Sequence, residues 1–326
     1  MDSYPESGRI YARRRRRIEE QREESQPPRP ITLIINGNSR QGHEAFATAQ
    51  DALRAAGVPL GQAILSRHKD DTVRALRREI EDGATTVIVG GGDGTLSQCA
   101  GQLAGTSVAM AVLPLGTGNT LARSLGLPLD LEGAAKVIAG GHVESMDVGR
   151  VNGRVFLNSV TLGLSADIAH ALNRDIKKRL GGLAWPVVGA KVLLKHRALR
   201  LKVTARESTF RARTHQIVVA NGRYIAGPIA AAPDASVQDS ELKVFVLGDA
   251  NRWSLIKTAL LWIAGRHVEA PSARYFTTQS VRVESLRRPL RADVDGEICE
   301  RTPLCIEIEP KALRVVVPHG FEADEV

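Results

Sequence analysis

Short apolar runs alternate with segments of helical periodicity from residue 31 to residue 115. The runs "ITLIIN", "QAILS", "TTVIVG" and "SVAMAVLPLG" are typical of buried strands, and the stretches between them repeat apolar residues every three to four positions. Strands joined by helices through short connections predict a parallel sheet covered on both faces. Ligands of such sheets bind at the carboxyl ends of the strands.

Two glycine-rich loops leave strands at that edge, "GGGDGT" at 90–95 and "PLGTGNT" at 114–120. Consecutive glycines at the start of a helix expose backbone N–H groups, and the helix dipole favours an anion there. Neither the dinucleotide fingerprint nor the P-loop spacing is present. Chemistry alone therefore leaves two interpretations open, a phosphate site and a tight strand-to-helix turn.

The pattern changes after residue 147, where β-type runs replace the alternation. The segment "VGRVNGRVFLNSV" pairs two such runs across Asn152-Gly153, which is a strong hairpin signal. Further runs are "LRLKVTAR", "THQIVVANG", "LKVFVLG", "SVRVES", "CIEIEP" and "LRVVVP", with helices expected near 184–197 and 252–264. We predict a second domain that is mainly antiparallel β.

A length of 326 residues fits about two domains. We expect a disordered basic tail at 1–29, an α/β domain at 30–145 and a β-rich domain at 146–326, and it is open whether the last strand returns to the first domain. Polar residues and prolines follow "RRRRR" at 13–17, which argues against a secretory signal. Three cysteines without metal spacing indicate a reducing compartment, and no apolar run approaches the ~20 residues of a membrane span.

The formal net charge is +8, and most of the excess positive charge lies between Arg174 and Lys202. This stretch contains nine Lys or Arg and one Asp, and it surrounds the apolar segment "GGLAWPVVGAKVLL". Nucleic acid is not favoured as a partner, because the chain is only 4% aromatic and has no nucleic-acid-binding module. A basic rim around an apolar segment suits an anionic membrane surface. The alternative is a half-buried helix with a solvated basic edge.

Five segments in this order resemble the diacylglycerol-kinase catalytic family, in particular its soluble bacterial lipid kinases related to sphingosine kinases: "VIVGGGDGTLSQ", "AVLPLGTGNTLAR", "DVGRVNGRVFLNSVTLG", "VVANGRYIAGP" and "DVDGE". The resemblance runs from Ile31 to Pro318. It implies a Rossmann-like α/β nucleotide domain followed by a β-rich lipid-binding domain. It also implies a cytoplasmic enzyme that uses ATP and Mg²⁺ to phosphorylate a hydroxyl of a lipid such as diacylglycerol, ceramide or a sphingoid base.

The resemblance also implies roles for individual residues. Glu297 resembles the proton acceptor, with Asp295 beside it at the reaction centre and Asp93 as a further catalytic carboxylate. A structural magnesium is implied at the Asp239 side chain and the carbonyls of Ser236 and Glu241. The implied nucleotide contacts are Ser66, Gly92, Asp93, Gly94, Thr95, Leu96, Ser97, Gln98 and Thr117.

The chain departs from the family pattern at four positions. The family commonly has Glu at Gln98, Asn at Ser97, Asp at Thr120 and Gly at Ser240, so two acidic positions near the phosphates are neutral here. Two other functions stay open. One is an NAD kinase, which shares "GGDGT" but is disfavoured because "DGE" and the basic segment at 174–202 have no place in that resemblance. The other is a lipid-binding regulator with little activity, which the neutral residues Gln98 and Thr120 suggest. A homodimer is also left open.

Overall fold

The structure is a computed structural model that describes residues 31–37, 42–171, 188, 191–192, 196–206, 208–227, 229–230, 232, 234–248 and 273–323. The expected tail at 1–29, the helix expected at 252–264 and most of the one expected at 184–197 lie outside the described residues. So does most of the basic segment between Arg174 and Lys202, of which the basic residues Lys191, Arg197, Arg200 and Lys202 are described.

The first part of the chain is a parallel sheet with helices on both faces, as the alternation predicts. The strands run in the order β4–β3–β1–β2, and all pairs among them are parallel. The strands are β1 (Ile31–Asn36), β2 (Leu60–Ser66), β3 (Thr86–Gly91) and β4 (Ala109–Pro114). The helices are α1 (Gly42–Ala55), α2 (Lys69–Glu81), α3 (Asp93–Leu103), α4 (Thr120–Ser124) and α5 (Leu131–Gly140).

Apolar side chains of β1 pack on both faces of this sheet, because successive side chains of a strand point to opposite sides. Ile34 packs in a core that includes Leu96 of α3, and Ile35 packs in a second core that includes Leu53 of α1. All of these side chains are fully buried. The expected α/β half is therefore confirmed.

The described residues of the second half are mainly antiparallel β, also as expected. The hairpin at Asn152-Gly153 is confirmed, with φ of 50° and 85°, the left-handed values that a two-residue turn of this type requires. The further elements are β5 (His142–Val151), β6 (Arg154–Phe156), β7 (Ser159–Gly163), α6 (Leu164–Ala171), β8 (Leu199–Ala205), β9 (Ser208–Ala220), β10 (Tyr224–Ala226), β11 (Ile229–Ala230), β12 (Leu242–Gly248), β13 (Ala273–Thr278), β14 (Ser280–Ser285), β15 (Arg291–Val294), β16 (Glu297–Arg301) and β17 (Leu304–Val317).

The strand β17 links the two halves. The sequence predicts two strands, "CIEIEP" and "LRVVVP", whereas the structure has one strand with a register break between Glu309 and Leu313. Its beginning pairs with β14 and its end pairs in parallel with β4, so one sheet continues through both halves in the order β16–β15–β7–β9–β8–β14–β17–β4–β3–β1–β2. The strand β5 follows β17 along both parts, across the expected boundary at 145.

A buried carboxylate holds the register break. Asp147 of β5 is fully buried, and its two oxygens accept from the N–H of Lys311 at 2.7 Å and from the N–H of Ser240 at 2.6 Å. Lys311 has φ of 53° at the break. Asp147 therefore fixes the bend in β17 and a turn of the β-rich half with one side chain.

None of the helices in the described part of the chain is both long and apolar enough to cross a bilayer.

Candidate active site

The carboxyl ends of β1, β2 and β3 form a polar, hydrogen-bonded edge. Asn36 and Ser66 are partners in the parallel register of β1 and β2. The Asn36 amide donates to Thr95 Oγ1 at 3.0 Å, and the Ser66 hydroxyl lies 2.5 Å from Thr72 Oγ1. Ser66 is thus at the expected strand end, buried, with its hydroxyl engaged by the start of α2.

The first glycine loop leads directly into α3, which begins at Asp93. The N–H groups of Asp93 and Gly94 lie in the first turn and have no carbonyl within the helix to bond. Thr95 and Leu96 instead donate their N–H groups to the Gly92 carbonyl, at 2.9 and 3.1 Å. The Leu96 side chain is fully buried in the core, so this residue supports the turn by packing.

The two glycine loops touch each other. A Cβ atom on Gly116 would lie 2.7 Å from Gly92 Cα, and one on Gly118 would lie 2.8 Å from Asp93 Oδ2. Side chains at these two positions are sterically excluded because backbone or a fixed carboxylate occupies the space. The glycines therefore have a packing role, and close contact between the loops brings both to the same edge of the sheet.

Asp93 binds the second loop to the first. Its Oδ1 accepts from the N–H of Thr120 at 2.6 Å and of Leu121 at 3.3 Å, and its Oδ2 accepts from the Thr120 hydroxyl at 3.2 Å. The Thr120 hydroxyl also accepts from the N–H of Gly227, at 3.2 Å, in the β-rich half. The neutral residue at 120 is thus the point where three loops meet.

The remaining nucleotide candidates lie around this edge. Thr117 is exposed in the second loop, and Gln98 is half-buried in the second turn of α3. Ser97, between the first turn of α3 and Gln98, is buried. These positions bring the nucleotide candidates together at the carboxyl ends of the parallel strands.

Asp295 joins the two halves of the protein. It is 7% exposed, and its Oδ2 accepts from the Ser97 hydroxyl at 2.7 Å, although the two residues are 198 positions apart. The same Oδ2 accepts from the N–H of Leu157 at 2.7 Å, while Oδ1 accepts from the N–H groups of Asn158 at 2.8 Å and Ser159 at 3.0 Å. Burial raises the pKa of Asp295, and its four hydrogen-bond donors oppose that shift.

The "DGE" segment is a tight hairpin between β15 and β16. Asp295 and Gly296 have φ of 50° and 86°, so they form the two-residue turn, and the Asp293 carboxylate accepts from the Gly296 N–H at 2.8 Å. Burial, together with the charge of Asp295, raises the pKa of Asp293 to about 6. Glu297 is partly exposed, with Oε2 lying 3.4 Å from Arg154 Nη2. Of the two catalytic candidates in this segment, Asp295 and Glu297, Glu297 is the one within reach of solvent.

The expected magnesium site contains a lysine. Asp239 Oδ1 accepts from the N–H of Glu241 at 2.9 Å, and Oδ2 accepts from the N–H of Ser236 at 3.3 Å. The ammonium of Lys243 lies 3.0 Å from Asp239 Oδ2 and 2.9 Å from Glu241 Oε2. A second cation at the same carboxylate oxygen would be repelled, so the residues here do not fit a divalent ion. No group of three or more His, Cys, Asp or Glu that could hold a metal is present among the described residues.

Three residues that matter in the structure are not among the sequence candidates. Asp293 and Asp147 are buried carboxylates, and Lys243 is a buried ammonium. For Lys243 the sequence does contain a signal, a charged residue inside the apolar run "LKVFVLG". Because lysine is almost never fully buried without a partner, a lysine in a buried strand indicates that an acidic partner lies nearby. The partner itself cannot be read from such a run.

Comparisons with known proteins agree with this geometry. Residues 30–151 match the diacylglycerol kinase catalytic domain, and residues 158–317 match the YegS C-terminal NAD kinase beta sandwich-like domain. A protein of Pseudomonas aeruginosa named probable lipid kinase YegS-like is 31% identical over 292 residues, covering 89% of this chain and 95% of the relative. The chain belongs to the diacylglycerol-kinase catalytic family.

Other members support the assignment. A protein named diacylglycerol kinase from Staphylococcus saprophyticus is 25% identical over 295 residues, covering 89% of this chain and 96% of its own. The crystal structure of a diacylglycerol kinase from Bacillus anthracis has the same fold, with a TM-score of 0.72, 24% identity and coverage of 89% and 97%. The present chain is therefore a lipid kinase with an α/β half followed by a β-sandwich-like half. The expected enzyme class and the expected fold are both confirmed.

Proposed function

We propose that this protein transfers the γ-phosphoryl group of ATP to a hydroxyl of a lipid, with diacylglycerol, ceramide and sphingoid bases as the candidate acceptors. Family membership supports lipid kinase activity, and we add ATP as the phosphoryl donor. Phosphoryl transfer needs little covalent chemistry from the protein, so positioning and neutralisation of phosphate charge supply most of the catalysis.

The phosphates would bind at the first turn of α3. There the N–H groups of Asp93 and Gly94 and the helix dipole favour an anion. Asp93 would act mainly by holding the second glycine loop, since both of its oxygens accept hydrogen bonds from Thr120. Exposed Thr117 and half-buried Gln98 lie around the same edge. Mg²⁺ that enters with ATP would supply neutralisation of the phosphate charge at this edge.

Glu297 would accept the proton of the lipid hydroxyl. Its carboxylate is partly exposed, whereas the Asp295 carboxylate is buried and takes four hydrogen bonds. A base must be able to reach the lipid hydroxyl, and burial with four hydrogen-bond donors leaves Asp295 a positioning role. Asp295 would hold the turn that carries Glu297 against α3.

The hydrogen bond between Ser97 and Asp295 is the observation that supports this proposal most strongly, because it joins the phosphate-binding helix to the turn that carries the base. The test incubates the pure protein with labelled ATP·Mg²⁺ and a panel of diacylglycerol, ceramide, sphingosine, phosphatidylglycerol and NAD. Label in one lipid supports a lipid kinase. Label in NAD alone would favour the NAD kinase, and no label in any acceptor would favour a regulator with neutral residues at Gln98 and Thr120.

We also propose that an anionic membrane surface contacts the outer face of β8, β9 and β14. In the sheet register Arg200 lies opposite Arg213, and Lys202 lies opposite Arg211. These cations make one face of the strand pair positively charged, and anionic lipid headgroups would be attracted to that charge. On this face Glu284 is the acidic neighbour, 3.4 Å from Lys202.

The end of β14 extends this face with an apolar residue. Leu286 is 44% exposed, and its N–H donates to the Arg200 carbonyl at 2.8 Å, which fixes it beside the cations. Arg287 and Arg288 follow it and are exposed. An apolar side chain among cations is the composition that membrane-surface binding requires. Contact through Lys177, Lys178 and Arg179 remains a prediction, since these three lie outside the described residues.

A further inference from the structure

The turn that the resemblance identifies as a magnesium site has an internal cation in this chain. Lys243 is the second residue of β12 and pairs with Ala220 of β9 on one side and with Thr277 of β13 on the other. Its side chain is only 7% exposed, so the ammonium is shielded from water and needs polar protein groups as partners. Two carboxylates, of Asp239 and Glu241, are those partners, at 3.0 and 2.9 Å.

Two carboxylates compensate the charge of the buried ammonium, because Asp239 and Glu241 both lie within ion-pair distance of it. The Asp239 carboxylate also accepts the N–H groups of Ser236 and Glu241, which closes the turn from 236 to 241 around the charge. A positive charge at this place therefore compensates a carboxylate that shapes the turn.

The turn matters for the fold because it contacts the bend in β17. Ser240, with φ of 58°, donates its N–H to Asp147, and Asp147 also accepts the N–H of Lys311 at the register break. A cation at Asp239 thus stabilises a segment that is bonded to the strand shared by both halves. Losing the cation would loosen the turn between Ser236 and Glu241.

We propose that the Lys243 ammonium is the resident cation of this turn, and that it takes the place of a structural divalent ion. The folded state of this chain then needs no Mg²⁺ at the turn, and the ion enters only with the nucleotide. The inference rests on the contacts of Lys243 and on family membership, and it stands whichever lipid is the acceptor.

The test measures thermal unfolding of the full chain without nucleotide, in EDTA and in millimolar Mg²⁺. We expect the wild-type Tm to be the same in both, because stability is linked to a ligand only where the ligand binds the folded state. Lys243→Met leaves the Asp239 carboxylate without its cation, and we expect its Tm in EDTA to fall by roughly 5–10 °C. Millimolar Mg²⁺ should restore much of that loss, and the variant should bind one more Mn²⁺ per chain than the wild type.

Lys202→Met is the matched control, since it removes a lysine from a solvent-exposed pair with Glu284 and should change neither Tm nor metal response. Lys243→Arg keeps the charge, so it should stay independent of metal even if Lys243→Met fails to fold. The proposal would be overturned by a wild-type Tm that falls in EDTA and recovers with Mg²⁺, or by a Lys243→Met variant that is destabilised but does not respond to metal. A metal-dependent Lys243→Arg variant would overturn it as well. None of these measurements uses kinase activity, so they are separate from the test of the proposed reaction.

Discussion

Asp295→Asn tests the division of roles between the two carboxylates of the "DGE" turn. In the wild type, each oxygen of Asp295 accepts from two donors. Asparagine retains one acceptor oxygen and replaces the other with an NH₂ group, which cannot accept. If the NH₂ group takes the place of Oδ1, the N–H groups of Asn158 and Ser159 both lose their acceptor. If it takes the place of Oδ2, Ser97 can rotate to accept from it, and one buried N–H, that of Leu157, is left unpaired.

The second orientation costs less free energy, so the expected loss of stability is estimated from it. One buried, unsatisfied N–H costs about 1–3 kcal/mol, and the remaining bonds lose the strength that the charge gave them. Release of the carboxylate from its desolvated state offsets part of this cost. We expect Asp295→Asn to lower the free energy of unfolding by about 2–4 kcal/mol. Phosphoryl transfer should fall at the same time, because the turn is no longer held against α3.

Urea denaturation at pH 7 measures the change, and two further variants make it specific. Ser97→Ala removes one donor to the same carboxylate and should cost about 1.5–3 kcal/mol, and in the double variant the two costs should not add. Asp293→Asn is the matched control, because its oxygen can still accept from the Gly296 N–H. An Asp295→Asn variant within about 0.5 kcal/mol of the wild type, with an additive Ser97→Ala effect, would refute the positioning role.

Three further predictions concern the base, the buried neighbour and the basic face. Glu297→Gln should lower the rate of phosphoryl transfer by about 10²–10⁴-fold with unchanged urea midpoint and ATP affinity, and retained activity would move the base elsewhere. The pKa of Asp293, about 6 against an ordinary 3.8, means that the folded state loses stability as pH rises through this range. From pH 5 to pH 7 the wild type should lose about 1–1.5 kcal/mol relative to Asp293→Asn, and parallel pH profiles would contradict this. Arg200→Glu should weaken binding to phosphatidylglycerol vesicles by more than about fivefold while Arg78→Glu on α2 has no effect, and equal effects or salt-insensitive binding would contradict the membrane face.

The sequence by itself determines the local elements, because their signals are periodic or are carried by particular residue types. Alternating runs give β1 to β4 and their helices, and the pairs Asn152-Gly153 and Asp295-Gly296 adopt the positive φ values that two-residue hairpins need. The ordered motifs give the family, and with it the lipid kinase. These features depend on neighbours within a few positions of each other.

Tertiary structure alone decides which distant side chains meet. Nothing local joins Ser97 to Asp295, and their contact exists because β15 pairs with β7 while α3 packs beside the segment that precedes β7. The same holds for Lys243, which the sequence alone would allow to be a surface residue. In the structure β12 lies between β9 and β13, and two carboxylates pair with the lysine at one end of the strand. A sequence fixes the charge of a residue and its local geometry, but the energy of a charge depends on its surroundings, and those form only when the chain folds.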